Sequence, residues 1–200
     1  MDGLLFDSER IVQRSWEIAG DELGIPHMGD VIYHTLGMNR AGRNKYFRKY
    51  IREDFPFEEF GKLTRDNFWK IVDKEGLPLK KGAKELLAYG KSQGYKMAVA
   101  TSSSREYAMG NLIRAGIDSY FDSVVCGDMV KKAKPDPEIY QKACESLGIQ
   151  PEYCMAFEDA PGGILSAHQA GMQVIMVPDL VQPTQEIREL LSLIHISEPT

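Results

Sequence analysis

From Ser8 to about Pro78, apolar positions recur at helical spacing and no stretch alternates as a half-buried strand does. In "SERIVQRSWEIAGDEL", Ile11, Trp16, Ile18 and Leu23 fall mostly on one face, with Ser8 as N-cap and Gly24 as the stop. "MNRAGRNKYFRKYI" and "PFEEFGKLTRDNFWKIVDKEG" continue in the same manner, rich in aromatic and long charged side chains. The pattern predicts a small helical bundle.

From Leu79 onward the periodicity changes. "GAKELLAYGKSQG", "REYAMGNLIRAG", "PDPEIYQKACESLG" and "GILSAHQAG" read as helices. Between and after them stand the short apolar runs "YKMAVATSSS", "SVVCGD", "YCMAFEDAPGG" and "QVIMVPD". Short continuous apolar strands alternating with helices of about ten residues predict βαβ units and a buried parallel sheet. In such sheets ligands sit beyond the carboxyl ends of the strands, so the residues after each strand are the ones to inspect.

Composition narrows the partners. The 200 residues carry a net charge of −5, with acids and bases interspersed. No basic stripe runs along the chain, so nucleic acid is not the expected partner. The basic residues Arg40, Arg43, Lys45, Arg48, Lys49 and Arg52 read for the most part as a solvated helix face. No apolar run approaches the roughly 20 residues of a membrane span, so no membrane partner is expected either. Cys126, Cys144 and Cys154 lack metal-ligand spacing and read as reduced thiols of a cytoplasmic, monomeric protein.

The strand ends carry chemistry. After "MAVA" comes Thr101-Ser102-Ser103-Ser104, a run of hydroxyls and amides suited to a phosphate-like anion. After "CMAF" stand Glu158 and Asp159, adjacent carboxylates that are costly at a strand end unless they hold a cation. Lys134 opens "KPDPEIY", and Asp2-Gly3 opens the chain. Taken singly, each has a structural explanation: helix caps for Thr101 and Ser103, surface charge for Lys134, a helix N-terminal turn for Glu158 and Asp159. Together, in order and at strand ends, they form the equipment of Mg²⁺-assisted phosphoryl transfer.

These segments resemble the haloacid dehalogenase superfamily, in the group similar to β-phosphoglucomutase and small sugar-phosphate phosphatases, over Met1 to about Leu190. The resemblance implies an α/β fold with a parallel sheet of order 5-4-1-2-3 and an inserted α-helical cap. Residues 1–9 and 79–190 would form the core and 10–78 the cap. It implies that Asp2 is the general acid/base, with its backbone carbonyl on Mg²⁺, and that Glu158 and Asp159 hold the metal. Thr101 and Lys134 would bind the transferring phosphoryl group, helped by Gly3, Ser102 and Ser103. The first motif, D-x-D-G, is represented only by Met1-Asp2-Gly3. Its leading aspartate, the nucleophile that forms an aspartyl-phosphate, would stand one position before Met1, and the strand before it would be missing. The chain as given is therefore expected to be truncated and inactive.

The reading selects a Mg²⁺-dependent phosphatase of small phosphorylated metabolites, sugar phosphates foremost. A carbon-attacking dehalogenase has no need of Asp2. A phosphoglucomutase-type mutase is the alternative. Val12 stands where those mutases carry a cap histidine, which disfavours it, while Arg40 aligns with a cap arginine that binds a distal phosphate. A degenerate binding module is the third reading, opposed by the later motifs. Substrate choice is expected near Val12, Arg40 and the loop after Gly37. "LSLIHISEPT", 191–200, resembles one reading frame of a DNA-library adapter; it is read as a non-native scar and set outside the fold, and His195 receives no role.

Overall fold

Helical spacing in the first part of the chain becomes α1 (Ser8–Glu22), α2 (Met28–Thr35), α3 (Arg40–Tyr50) and α4 (Phe57–Glu75). The computed structural model describes residues 1–35, 40–179 and 182–194, with the backbone alone at 40, 41, 193 and 194. The chain divides into two compact units, Ser8–Leu77 and Met1–Asp7 with Pro78–Thr200.

The helical unit closes around aromatic rings. Trp16 meets Phe47 edge-on with centroids 5.6 Å apart, and Phe47 lies 4.7 Å from Phe55. Such contacts add to the burial of large apolar surfaces. Ile18 departs from the sequence expectation: it is 39% exposed, and Ser15 and Ala19 are buried in its stead. A helix of 3.6 residues per turn carries positions 15, 16 and 19 to one face and turns 18 outward. Gly24 does stop α1, with a positive φ of 66° that favours glycine. The segment α2 gave no sequence signal, being short and partly β-branched. The loop after Gly37 lies outside the described residues.

In the second unit, β1 (Ala98–Ala100) pairs parallel with β2 (Ser123–Val125), and β3 (Met155–Glu158) pairs parallel with β4 (Gln173–Met176). Helix α5 (Ala83–Ser92) precedes them, and α6 (Arg105–Arg114), α7 (Glu138–Leu147), α8 (Pro161–Gln169) and α9 (Gln185–Glu189) separate and follow them. Ile139 and Ala143 of α7 pack with Ile164 and Ala167 of α8 against Val125, Ala156 and Val174 of the strands. Burying such strands on both faces is what makes their sequences continuously apolar. Among the described residues no ladder joins β1 to β3, so the strands form two separate sheets.

The chain start is tied to the segment that follows the helical unit. Phe6 is fully buried and bridges to both Asp2 and Leu79, and the Lys80 amide donates to the Leu5 carbonyl at 2.8 Å. At the other end, β5 (Leu193–Ile194) pairs parallel with β4. The Ser192 amide donates to the Val174 carbonyl at 2.8 Å, satisfying an edge that would otherwise be unpaired. No described helix is long and apolar enough to cross a membrane.

Candidate active site

Thr101 follows β1 directly and is 3% exposed. Its amide donates to the Val125 carbonyl at 3.0 Å, and its hydroxyl accepts from the Ser103 amide at 3.2 Å. The turn is tight because Gly127 lies against it: a Cβ there would collide with the Ser102 carbonyl. Ser102 is exposed. Ser104 caps α6, accepting from the Tyr107 amide.

Asp2 is held from this turn. Its Oδ2 accepts from the Ser103 hydroxyl at 2.9 Å and its Oδ1 from the Tyr107 hydroxyl at 3.0 Å. Both carboxylate oxygens are thus engaged by neutral donors. Ser103 was a sequence candidate; Tyr107 was not. Its only signal was a hydroxyl on the first turn of the helix after the Thr101 loop.

Lys134 reaches the same end of the unit from the loop before α7. Glu138 anchors that loop by accepting from the Lys131 and Lys132 amides at 3.0 and 2.9 Å. Chiefly through the Lys131 amide, its carboxyl is held down at about 2. Lys134 Nζ donates to the Ala100 carbonyl at 3.1 Å and to Glu158 Oε1 at 2.5 Å. It also lies 4.8 Å from the centre of the Tyr140 ring. The Tyr140 hydroxyl donates to the same Glu158 oxygen. Burial, and then the Glu158 charge, push the Tyr140 hydroxyl well above its ordinary range, so it remains a donor.

Glu158 is 6% exposed. Gly163 packs against its carboxyl so closely that a Cβ would collide with it. Asp159 faces a different neighbour. It meets Gly3, whose φ of 71° suits glycine and whose absent Cβ would collide with Asp159 Oδ2. Burial first, and the Glu158 charge second, raise the Asp159 carboxyl to about 6, and Asp179 adds to the rise. The Met1 ammonium opposes it.

The structure therefore brings Asp2 to Ser103, Lys134 to Glu158, and Gly3 to Asp159. Among the described residues no three His, Cys, Asp or Glu side chains are grouped to hold a metal ion. Asp2 is turned to hydroxyls and Glu158 to Lys134 and Tyr140, while Asp159 Oδ2 fills the place that a side chain on Gly3 would take. The donor set there fits a hard cation. A carboxylate crowded by others favours a cation, and Asp179 Oδ2 nearby is buried without a hydrogen-bond partner. Arg40 begins α3 in the other unit, and its side chain lies outside the described residues. Val12 is partly buried against the apolar core of the helical unit.

Known proteins share these features. The family profile of haloacid dehalogenase-like hydrolases matches residues 1–177. A phosphorylated carbohydrates phosphatase of Thermotoga maritima is 33% identical over 175 residues, covering 88% of this chain and 81% of that protein. Validoxylamine A 7'-phosphate phosphatase of Streptomyces hygroscopicus subsp. limoneus is 41% identical over 174 residues, covering 86% and 80%. Among solved structures, a candidate beta-phosphoglucomutase of Thermotoga maritima superposes with a TM-score of 0.81 at 28% identity, covering 98% of this chain and 91% of that one.

Proposed function

The chain belongs to the haloacid dehalogenase-like hydrolases, and from that premise we propose that it serves the hydrolysis of phosphoric monoesters of small metabolites, sugar phosphates foremost. The observation that carries this reading is the ammonium of Lys134, placed between the Ala100 carbonyl at the end of β1 and Glu158 at the end of β3. A phosphoryl group bound beyond these strand ends meets Lys134 together with the hydroxyl and amides of the Thr101–Ser103 turn, donors suited to its equatorial oxygens.

Asp2 is the proton carrier for the leaving oxygen. With both oxygens accepting from Ser103 and Tyr107, its carboxyl is fixed in direction, which general acid–base catalysis needs before anything else. Glu158 holds Lys134 in place, and Tyr140 shares that task. Mg²⁺, when bound, would be held through Asp159 and would offset the negative charge of the transferring group. The nucleophile's role is assigned to the leading aspartate of a D-x-D-G motif, of which Met1-Asp2-Gly3 supplies the last three letters. The reading thus assigns to these 200 residues the groups that assist it. Arg40 is assigned to a second anionic group of the substrate.

A hydrolase reading is preferred to a mutase because Val12, at the position of the mutase histidine, is an aliphatic side chain set against the core of its own unit. The test is phosphate release from a panel of sugar phosphates, with Mg²⁺ and with EDTA, in a protein that supplies the leading aspartate. Mg²⁺-dependent release supports the proposal. Full activity in EDTA overturns it, and so does interconversion of β-glucose 1-phosphate and glucose 6-phosphate faster than phosphate release.

A further inference from the structure

The reaction as read above leaves Asp179 and Lys80 without a role, and neither was a sequence candidate. Asp179 ends "VPD", three residues beyond β4, the strand that pairs with β3. Its Oδ1 accepts from Lys80 Nζ at 2.5 Å. Its Oδ2 is buried and has no hydrogen-bond partner. A buried acceptor left unmatched costs on the order of 1–3 kcal/mol, and more for a charged group, so a structure that tolerates one calls for an explanation.

The position of that oxygen supplies one. A Cβ built on Gly3 would lie 3.6 Å from Asp179 Oδ2, and it would collide with the Asp159 carboxylate. Two carboxylates, carried beyond the ends of β3 and β4, therefore approach the same side of one glycine, Asp159 taking the place of its absent side chain and Asp179 Oδ2 lying next to that place. Lys80 engages Oδ1 and leaves Oδ2 unmatched. A plain salt bridge between the 78–80 segment and the end of β4 would account for Oδ1. It does not account for the unmatched Oδ2, nor for the approach of that oxygen to the place Asp159 fills beside Gly3. Like-charged groups brought together in a partly dry place repel strongly, and a divalent cation between them reverses the sign of that interaction.

We propose that Asp179 is a further carboxylate of the cation site, its Oδ2 serving the same divalent ion as Asp159 while Lys80 fixes its Oδ1. The inference rests on the cation reading given under the proposed function and adds a residue to it. Mg²⁺ is commonly held by one or two carboxylates together with several waters, so a pair of this kind suffices.

The experiment measures binding and needs no turnover. Mg²⁺ is titrated calorimetrically into the 200-residue chain and into its Asp179→Asn and Asp159→Asn variants, each checked for fold by circular dichroism. Loss of a supporting carboxylate should weaken the affinity about 10–100-fold in Asp179→Asn. Unchanged affinity in Asp179→Asn, with loss in Asp159→Asn, overturns the inference and leaves the cation reading standing. No Mg²⁺ binding by the unaltered chain overturns both. Should Asp179→Asn fail to fold, Mn²⁺ added below stoichiometry to the unaltered chain decides in its place. Paramagnetic broadening of the Asp159 and Asp179 carboxyl carbons, with Asp122 spared, supports the assignment. Broadening of Asp159 alone refutes it.

Discussion

Lys134 Nζ donates to Glu158 Oε1 at 2.5 Å and to the Ala100 carbonyl at 3.1 Å, so one ammonium spans the ends of β1 and β3, strands that share no ladder. Glu158 is nearly inaccessible, and Tyr140 completes its hydrogen bonding. Removing one member of such a pair strands the other charge. Lys134→Met and Glu158→Gln should each cost about 3–5 kcal/mol in urea denaturation. The double variant should cost less than the sum of the two, giving a coupling energy in the double-mutant cycle. Strict additivity would show that the two side chains act independently.

Neighbouring glycines should respond oppositely to the same methyl group. At Gly162 a Cβ meets nothing within 4 Å, whereas at Gly163 it collides with the Glu158 carboxyl. Both lie in the first turn of α8, so helix propensity favours alanine at either. Gly162→Ala is expected to stabilise the protein by about 0.4–1 kcal/mol. Gly163→Ala should destabilise it by about 1–3 kcal/mol and displace Glu158 from Lys134. Thermal melts of the two variants side by side provide the comparison, and equal shifts would refute the close approach.

The pH dependence of the metal-free chain should carry the mark of Asp159. Its carboxyl is raised from 3.8 to about 6, so between those values the folded chain binds a proton that the unfolded chain has released. Stability from this group is complete below about 3.8 and is lost as pH rises through about 6. Asp159→Asn in EDTA should abolish that part of the slope. With Mg²⁺ present the sign reverses, since the cation needs the ionised form. Apparent affinity should rise about tenfold per pH unit up to that range and then level off. A Mg²⁺ affinity indifferent to pH between 4.5 and 7 would count against Asp159 as the ligand.

The nucleophile is testable by addition. A chain preceded by a short aliphatic strand ending in Phe-Asp should release phosphate from sugar phosphates in Mg²⁺, and the same chain ending in Phe-Asn should not. On the proposed reading Asp2, committed to Ser103 and Tyr107, serves the proton, so a second carboxylate is needed for the phosphorus. Equal hydrolysis by the asparagine version would show that the added residue is not the nucleophile.

Local periodicity made much of this molecule legible. The switch from helical spacing to short apolar runs at Leu79 marks where the parallel strands begin, and each quoted run contains its strand: "MAVA" holds β1, "SVV" is β2, "CMAF" enters β3 and "QVIM" is β4. Thr101, Glu158 and Asp159 stand out as candidates because the end of a parallel strand is both readable in sequence and the place where such sheets bind ligands, and Lys134 because it opens the prolines before α7. Ile18 was misjudged because apolar character alone does not decide which side of a helix faces the core.

Side-chain partnerships were another matter. Tyr107 reaches Asp2 across 105 residues, Tyr140 meets Glu158 across 18, and Lys80, ahead of α5, meets Asp179, beyond β4. None of these pairs is encoded by spacing along the chain, since each depends on which strand ends the fold sets side by side. The same holds for the glycines. Sequence showed Gly3 and Gly163 beside acidic residues or in a helix start, but only packing revealed that a single methyl group at either would strike a carboxylate. Hydrophobic pattern is a one-dimensional property and determined the elements; the partners of each carboxylate are set by three-dimensional neighbours, and the tertiary structure alone decided them.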